Sequence, residues 1–556
     1  MTAPADTLIL SDRVLTLDGR DDDGRPGCVA IRDGRIAAVA GRDAADGLRG
    51  PDTVVLDAGD RPLLPGFVDP HAHAEVAALV QQATVDCRAP ECGTVADVLD
   101  ALRDGLPGAV DGWLVGQGNL FFDQKLRERR LPTRAELDAV SRETAIALRA
   151  GGHVTVLNSR ALELAGITRD SRAAEHSITG LPTIEVDGGG EPTGVVKEMD
   201  NLLPLPAFEG AALREALRDG MRELFTRHGV TTIGEISETT AGLEQFDALL
   251  GAGELAARMR VYLWAPGTLS LRQACAWREH LTLRQPDELI RVQGVKLFAD
   301  GGYSAASAAV KRPYVVGDCS CGSVALSDAQ IGEALALTRA AGLQLAVHAN
   351  GDRAQEAVCA AIAAAGPAPE GVPAPRVEHA GNFLPEYDET TAAWRAAGIV
   401  PVPQPVFLYT FGDFFPAYLG EYGERGRFPF RRLLDDGWPI SGSSDVWIGS
   451  EREATNPLFG VWCCVARSSF AGAVLGPEQR IERSEALRMH TLDAAAAIGE
   501  DDVKGSLTAG KLADVVVLDR DPLTCPEDDL RRARVDAVVF GGRLVHEREG
   551  ARPLRA

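Results

Sequence analysis

Short apolar segments alternate with Ala- and Leu-rich helical stretches through the middle of the chain. This alternation is typical of βα units built around a parallel sheet. One helical stretch shows both of its ends, because Ser327 is a predicted N-cap and Gly342 a predicted C-cap. Eight segments have the character of strands: residues 64–73, 230–236, 259–265, 291–300, 343–350, 375–380, 398–405 and 439–445. They predict an α/β fold, a distorted (β/α)8 TIM barrel over residues 65–499.

Two further regions are expected beside the barrel. Residues 1–64 and 500–556 alternate apolar and polar residues between turn signals, which predicts one composite β-sandwich assembled from both termini. The interval between the first and second strands, from Ala74 to Gly229, is too long for an ordinary βα connection. It contains its own helical and turn-rich segments. We therefore expect an inserted subdomain at residues 86–205, beside the mouth of the barrel.

The charge balance excludes several classes of partner. The 556 residues include 57 basic and 80 acidic side chains, a formal net charge of -23. This balance argues against nucleic acid and anionic membrane surfaces as partners, but it leaves a small-molecule substrate open. No window approaches the roughly 20 apolar residues that span a bilayer. The start of the chain lacks a basic and apolar leader, and the ten cysteines form no CxxC pair, so we expect a cytoplasmic protein with free thiols.

The first predicted strand ends in His71-Ala72-His73. Alternate residues of a strand face the same side, so both imidazoles can point into the barrel. They lie at the carboxyl end of the strand, where barrel enzymes build their active sites. An HxH sequence alone is weak evidence for a metal site, because each histidine could instead make a structural hydrogen bond.

Only six of the 57 basic residues are lysines, and Lys296 lies within an otherwise apolar strand. A buried ammonium group without a partner is unfavourable. One interpretation is structural: the amine pairs with a nearby acid such as Asp300, or it extends to the rim of the barrel. The other is chemical: the amine loses its proton, takes up CO2 as a carbamate and bridges two metal ions. A guanidinium group stays protonated, so arginine could not take this role.

Three more polar residues end predicted strands. His348 ends the fifth strand, His379 the sixth and Asp445 the eighth. Each alone is compatible with a hydrogen-bonded residue at a strand end. Together with the HxH pair and the buried lysine, they meet at the catalytic face of a barrel. Imidazole nitrogens with carboxylate-type oxygens favour Zn2+, and Mn2+ and Fe2+ suit the same donors.

The string PGFVDPHAH, followed in order by Lys296, His348, His379 and Asp445, resembles the metal-dependent amidohydrolase superfamily. More narrowly, the chain is similar to the YtcJ-like branch, amidohydrolase family 3, which includes N-substituted formamide deformylases. Further matches run almost from end to end: HVTVLNSRALELAGIT, GEPTGVVKE, HGVTTIGE, VKLFADG, VHANGDRA and GSLTAGKLADVVVLDRDP. The ordered set of ligands is highly specific, and the GKLAD segment is a moderate marker.

The resemblance implies a binuclear metal site, although some members bind one ion. The implied metal ligands are His71, His73, Lys296, His348, His379 and Asp445. The HxH pair and Asp445 would hold the first ion, and the two later histidines the second. A carbamate on Lys296 would bridge the ions together with a hydroxide. Asp445 would accept the proton of the water and pass it to the leaving nitrogen, as general base and acid.

These roles predict hydrolysis of a C–N bond, in a small N-substituted amide or formamide. The alternatives on the same metal centre are opening of a cyclic amide or imide, deamination of a heterocycle, or a non-hydrolytic reaction. Deaminases of the superfamily typically need no bridging lysine, so Lys296 weighs against deamination. A non-enzymatic scaffold is disfavoured because all six expected ligands are present. Such enzymes often dimerise, so a homodimer is expected, but no sequence feature marks an interface.

Two segments depart from the pattern of the branch. Residues 302–307 read Gly-Tyr-Ser-Ala-Ala-Ser, where the branch often has Ser, Leu or Ala, Gly, Ser and Arg. Val446 and Trp447 follow the catalytic aspartate, where Ala-Pro or Trp-Pro is usual. Both segments follow barrel strands and are expected to line the pocket. They make Tyr303 and Trp447 candidate substrate contacts, and the family pattern adds His153 from the inserted region.

Overall fold

The computed structural model describes residues 3–19, 24–173, 177, 179, 181–317 and 320–554. Their strands form three sheets, of which one is a seven-stranded parallel sheet in chain order. Its strands are β1 (Phe67–Ala72), β2 (Val230–Ser237), β3 (Arg258–Trp264), β4 (Ile290–Phe298), β5 (Gln344–His348), β6 (Arg376–Glu378) and β7 (Val400–Val402). This nearly closed parallel sheet confirms the predicted barrel class, and the carboxyl ends of its strands meet on one face.

Helices cover the outside of this sheet. In this part of the chain they are Ala74–Ala83, Gly210–Leu224, Thr240–Ala252, Leu271–Cys275, Asp328–Ala341, Asp352–Ala364, Tyr387–Ala397, Val406–Phe411, Phe415–Leu419, Phe430–Asp435, Pro457–Ala466, Arg483–Met489 and Leu492–Ala497. The predicted caps are confirmed: Ser327 accepts the N–H of Gln330, and Gly342 ends the helix with a φ of 66°. Within the described residues, no helix combines the length and the apolar character needed to cross a membrane.

The prediction of an eighth strand at residues 439–445 was wrong, because this segment is irregular. It still runs beside β1, where the Asp445 N–H donates to the His71 carbonyl at 2.9 Å. The Asp69 side chain takes the N–H of Ser444 at 3.1 Å, and Asp445 itself has a left-handed φ of 44°. A side chain that captures a backbone donor and a left-handed residue both interrupt a regular ladder. The segment therefore closes the barrel without forming a strand.

Both ends of the chain contribute to an eight-stranded mixed sheet. Its strands are Thr7–Val14, Arg25–Arg32, Arg35–Gly41, Val54–Asp57, Leu63–Pro65, Val515–Leu518, Val535–Phe540 and Arg543–Glu547, with short helices at Ala45–Leu48 and Glu527–Leu530. The antiparallel pairing of Leu63–Pro65 with Val515–Leu518 joins the two ends directly. These strands are connected in one sheet, and the packing of a two-layered sandwich stays a prediction.

The third sheet lies in the interval between β1 and β2. In sheet order its six strands are Thr183–Val186, Pro192–Lys197, Val154–Leu157, Ala145–Ala150, Trp113–Gly118 and Val85–Asp86, accompanied by helices Val95–Gly105, Phe122–Lys125, Arg134–Val140 and Ser159–Leu164. The loop that follows Asp445 binds to this region: the Leu120 N–H donates to Gly449 at 3.1 Å, and Lys125 pairs with Glu451 at 2.6 Å. These contacts place inserted residues at the carboxyl ends of the barrel strands.

Candidate metal centre

His71 and His73 lie at the end of β1, and both side chains are buried. Their ring centroids are 5.7 Å apart, as expected for alternate residues on one side of a strand. Both Nε2 atoms approach Asp445 Oδ1, at 3.0 Å from His71 and 3.6 Å from His73. The predicted HxH pair and the predicted aspartate therefore converge on one point.

His348 and His379 lie on neighbouring strand ends, with His379 Nε2 only 2.9 Å from His348 Nδ1. Ligand atoms of His71, His379 and Asp445 all lie within 4.8 Å of one another. Burial lowers the pKa of His348 well below its ordinary value and that of His379 to about 3. Both rings are thus neutral near pH 7, and a neutral imidazole is the form that binds a metal ion.

A carboxylate outside the predicted site fixes the orientation of His71. Glu378 Oε2 lies 2.6 Å from His71 Nδ1, and Arg376 Nε donates to Glu378 Oε1 at 2.6 Å. Burial alone would raise the pKa of Glu378, but Arg376 and His71 hold it well below its usual range. An ionised carboxylate can only accept, so His71 Nδ1 carries a hydrogen and donates it to Glu378. The other ring nitrogen, Nε2, faces Asp445.

The contact between His71 and Asp445 is close but is not a hydrogen bond. His71 Nε2 lies 3.0 Å from Asp445 Oδ1 but outside hydrogen-bonding geometry, and it has no hydrogen-bond partner among the described residues. Burial would raise the pKa of Asp445, but His71, His379 and His73 hold it well below its usual range. A divalent cation between these two atoms would give each of them a partner. These imidazole nitrogens and carboxylate oxygens fit a divalent metal ion.

Gln404 performs the corresponding role for His379. Its amide nitrogen donates to Val402 O at 2.9 Å and to Ser443 Oγ at 3.0 Å, so its oxygen is the accepting atom. That oxygen lies 2.8 Å from His379 Nδ1. The hydrogen of this imidazole is therefore on Nδ1, and Nε2 offers its lone pair to the site. Partners of this kind fix the tautomer of a metal-binding histidine.

Lys296 lies in β4 and is completely buried. Its Nζ has no hydrogen-bond partner in the described chain and lies 4.5 Å from the Phe298 ring centroid. Burial lowers its pKa to about 8, although Glu378 and Asp445 oppose this shift. The structural interpretation through Asp300 is wrong, because that carboxylate accepts three backbone N–H groups instead. Complete burial also excludes an amine that extends to the rim.

The backbone is strained at two of these residues. His379 has a φ of 71° and Asp445 a φ of 44°, both in the left-handed region that side-chain-bearing residues rarely adopt. Such conformations persist where the surrounding structure enforces them, and they concentrate at functional sites. Here the strain turns both side chains at strand ends toward the same point.

The three candidate substrate contacts line one small cavity beside these ligands, with a volume of about 40 Å3. This is room for about three water molecules at 10–15 Å3 each. The Tyr303 hydroxyl donates to the Asn350 carbonyl at 2.6 Å, so it is already engaged. The Trp447 ring stacks on His73 at a centroid distance of 5.2 Å. His153 lies edge-on to Trp447, with the centroids 5.6 Å apart.

Some of these functional residues were missed in the sequence. Glu378 carried the same signal as Lys296, a charged residue within a buried strand, and it directly precedes His379. Gln404, and Glu238 at 3.1 Å from His73 Nδ1, carried no comparable signal, since their partners become neighbours only in the folded barrel. The inserted region also contributes apolar residues to the cavity wall that no motif marked, namely Leu120 and Phe121.

A second group of acidic residues does not resemble a metal site. Glu356, Glu386 and Glu389 lie together near the surface. Lys311 Nζ forms ion pairs with all three carboxylates. The group therefore already holds its own cation.

The chain is similar to known proteins along most of its length. The amidohydrolase family model matches residues 54–546. The N-substituted formamide deformylase of Arthrobacter pascens is 31% identical, and the alignment covers 99% of this chain and 100% of that protein. The putative amidohydrolase YtcJ of Bacillus subtilis is 26% identical, with 95% and 97% covered. The crystal structure of an uncharacterized metal-dependent hydrolase from Pyrococcus horikoshii shares the fold, with a TM-score of 0.70, 20% identity and 94% and 99% covered.

The chain belongs to the amidohydrolase family. It is a hydrolase that acts on carbon–nitrogen bonds. Members of this family generally use a divalent metal ion, and the cluster of His71, His379 and Asp445 is the candidate site for it.

Glu378 and Glu238 each contact a histidine of the site, but replacing them should change metal affinity by very different amounts. Glu378→Gln removes the charge that holds His71 and Arg376, so we expect metal affinity to fall about 10- to 100-fold. Glu238 lies 3.1 Å from His73 Nδ1, and burial raises its pKa well above the ordinary value. A neutral amide resembles that protonated acid, so Glu238→Gln should change affinity less than about threefold. Competition with a chelator measures both variants, and equal losses would contradict the assigned charges.

Proposed function

We propose that this protein hydrolyses the C–N bond of a small N-substituted amide or formamide at a divalent metal centre. The proposed ligands are His71, His73, Lys296, His348, His379 and Asp445. One observation carries most of the support: His71 Nε2, which has no hydrogen-bond partner among the described residues, lies 3.0 Å from the Asp445 carboxylate. Zn2+ suits this mixture of nitrogen and oxygen donors, with one or two ions per chain and Mn2+ or Fe2+ as substitutes.

A carbamate formed from Lys296 and CO2 would add two oxygen ligands. The support for it is a buried amine without a partner among the described residues and a pKa lowered by burial to about 8. A fraction of the amine is therefore neutral near pH 7 and able to react with CO2. The carbamate is an anion. Its formation therefore replaces an unfavourable buried ammonium group with a group that attracts metal ions.

The protein groups supply the proton transfers. A divalent cation bound here lowers the pKa of a water molecule and polarises a carbonyl oxygen. The ionised Asp445 carboxylate accepts one proton from the attacking water. It then donates this proton to the leaving nitrogen, so that the C–N bond breaks and an acid and an amine are released. His71 and His379 keep their orientation during these steps because Glu378 and Gln404 hold their outer nitrogens.

The cavity supports a compact acyl group. The cavity has a volume of about 40 Å3 and is lined by Asp445. Leu120, Phe407 and Phe411 form its apolar walls. A formyl group is the smallest acyl group that an amide can carry. The deformylase from Arthrobacter pascens, which is named for N-substituted formamides, supports the same choice.

A matched substrate panel tests the proposal. The purified, metal-analysed protein is incubated with N-alkylformamides, the corresponding acetamides, cyclic imides and aminopyrimidines. We expect formate and amine in equal amounts from the formamides, at least about tenfold slower turnover of the acetamides, and loss of activity after chelation. Ring opening without formate would favour the cyclic-amide alternative, and ammonia from the aminopyrimidines would favour deamination. Metal-independent turnover would contradict the proposed centre.

A further inference from the structure

Two buried hydrogen-bond donors lie in the cavity wall without partners. Trp447 Nε1 and Ser304 Oγ are enclosed, and neither has a hydrogen-bond partner within the described parts of the chain. Both residues line the same cavity as Asp445, His348 and His379. Buried polar groups in native proteins are nearly always hydrogen-bonded, so two unpartnered donors at one cavity indicate that a bound molecule completes their hydrogen bonds. A ligand that brings an acceptor atom would satisfy them.

The His153 ring is held beside these two donors. Its Nδ1 lies 2.8 Å from Glu198 Oε2, and Glu198 Oε1 accepts the Gly302 N–H at 3.1 Å and the Ser307 hydroxyl. Glu198 is completely buried, and its carboxylate only accepts, so His153 donates from Nδ1. Glu198 thus fixes the His153 ring edge-on to Trp447, with the ring centroids 5.6 Å apart.

The surrounding backbone makes room for these rings. A Cβ atom added at Gly152 would lie 2.1 Å from the Trp447 ring, and one added at Gly302 would lie 2.5 Å from the His153 ring. Strand pairing of Val154–Leu157 with Pro192–Lys197 brings Glu198 beside His153, where the Glu198 N–H donates to the His153 carbonyl at 2.8 Å. Glu198 also has a left-handed φ of 53°. The placement of both rings is therefore enforced by the inserted sheet and by the loop after β4.

We infer that Trp447 Nε1 and Ser304 Oγ form a donor patch for a second oxygen acceptor of the substrate, separate from the scissile carbonyl, and that His153 packs beside this patch. The inference rests on the proposed function and deepens it. The substrate would be an N-acyl compound that carries a carboxylate or a carbonyl oxygen close to its amide nitrogen. Glu198 is a positioning residue, because it acts through the hydrogen that it holds on His153 Nδ1.

Three probes of equal shape test this inference on the metal-loaded protein. N-formylglycine carries a carboxylate, N-formylglycinamide carries a neutral carbonyl, and N-isobutylformamide carries two methyl groups in the same place. We expect kcat/KM to be at least about tenfold higher for an acceptor-bearing probe than for N-isobutylformamide. Preference for N-formylglycine alone assigns the patch to a carboxylate, and preference for both assigns it to any oxygen acceptor. Equal or higher activity on N-isobutylformamide would overturn the inference.

Variants locate the preference within the patch. Trp447→Phe keeps an aromatic ring against His73 but removes the N–H, and Ser304→Ala removes the hydroxyl. Each should lower the ratio of kcat/KM values between acceptor-bearing and apolar probes by about three- to tenfold. Tyr387→Phe is the control, because Tyr387 lies outside the cavity and its hydroxyl donates to Asp436. It should leave the ratio unchanged, and a loss as large as that of Trp447→Phe would refute the assignment.

The role of Glu198 and the dependence on hydrolysis are tested separately. Glu198→Ala should lower the same ratio, and Glu198→Gln, whose amide oxygen can still accept from His153, should restore part of it. Calorimetric binding of the three probes supplies a readout that needs no turnover. If acceptor-bearing probes bind more tightly and Trp447→Phe removes this preference while no probe is hydrolysed, the proposed function fails and the donor patch stands. If none of the three probes binds, the donor patch is overturned.

Discussion

Lys296→Met is expected to abolish hydrolysis while leaving the fold at least as stable as before. Methionine matches the length of lysine but cannot form a carbamate, so the metal centre loses the proposed bridging oxygens. Loss of several kcal/mol of transition-state stabilisation corresponds to a fall in kcat/KM of at least about 1,000-fold. The metal-free protein should become about 1–2 kcal/mol more stable, because the variant removes a buried amine without a partner among the described residues. Kinetics, metal content and unfolding in denaturant measure these effects.

Lys504→Met provides the matched control for this result. Lys504 is also buried, but its Nζ lies 2.5 Å from Glu500 Oε2. Its replacement leaves part of the charge on Glu500 without a partner, so stability should fall while metal content is retained. If Lys296→Met lost stability in the same way and kept its activity, Lys296 would be an ordinary structural lysine.

The pKa of Lys296 also sets a pH dependence for reactivation. A group with a pKa of about 8 is roughly one tenth neutral at pH 7 and roughly nine tenths neutral at pH 9. Only the neutral amine reacts with CO2, so carbamate formation in metal-free protein should accelerate about ninefold across this interval at constant CO2 pressure. Recovery of activity after addition of Zn2+ measures the rate. A recovery that is independent of CO2 would contradict the carbamate.

The candidate metal-site residues could be proposed from the sequence because strand periodicity is a local property and parallel strands end on the same face of a barrel. His71 and His73 are two residues apart, and the strand ends near His348 and His379 all fall on one face. Lys296 could be identified because its neighbours in the strand sequence are apolar. The sequence could not decide which group pairs with Lys296. The answer depended on Asp300 accepting backbone N–H groups from its own loop and from the loop after β5.

The remaining features depend on contacts between segments that are distant in the chain. An eighth strand was predicted at residues 439–445, but the Asp69 side chain on the neighbouring strand β1 accepts the Ser444 N–H. Gln404 and Glu378 acquire their roles only when β6 and β7 bring them behind the histidines. The pairing of His153 with Glu198 depends on the register of two inserted strands. Periodicity contains no information about such partners.

Asp445→Asn is expected to lower kcat by about 100- to 10,000-fold, the usual contribution of a general acid–base group. The amide keeps an oxygen near His71 but cannot accept the proton of the attacking water or return it to the leaving nitrogen. Because substrate contacts are unchanged, KM should shift less than about fivefold. Steady-state kinetics with metal analysis separates this loss from a loss of metal. Asp435→Asn, at an exposed carboxylate paired with Arg431, is the control and should retain full activity.

The protein's own charges distinguish a catalytic role for Asp445 from a purely structural one. In the metal-free chain the surrounding histidines hold the pKa of Asp445 well below its usual range, so its negative charge stabilises the fold. The metal-free Asp445→Asn protein should therefore unfold at a Tm below that of the parent protein. Bound metal should stabilise the variant less than the parent, because one anionic ligand is lost. A variant that keeps kcat within about tenfold of the parent would show that another group moves the proton.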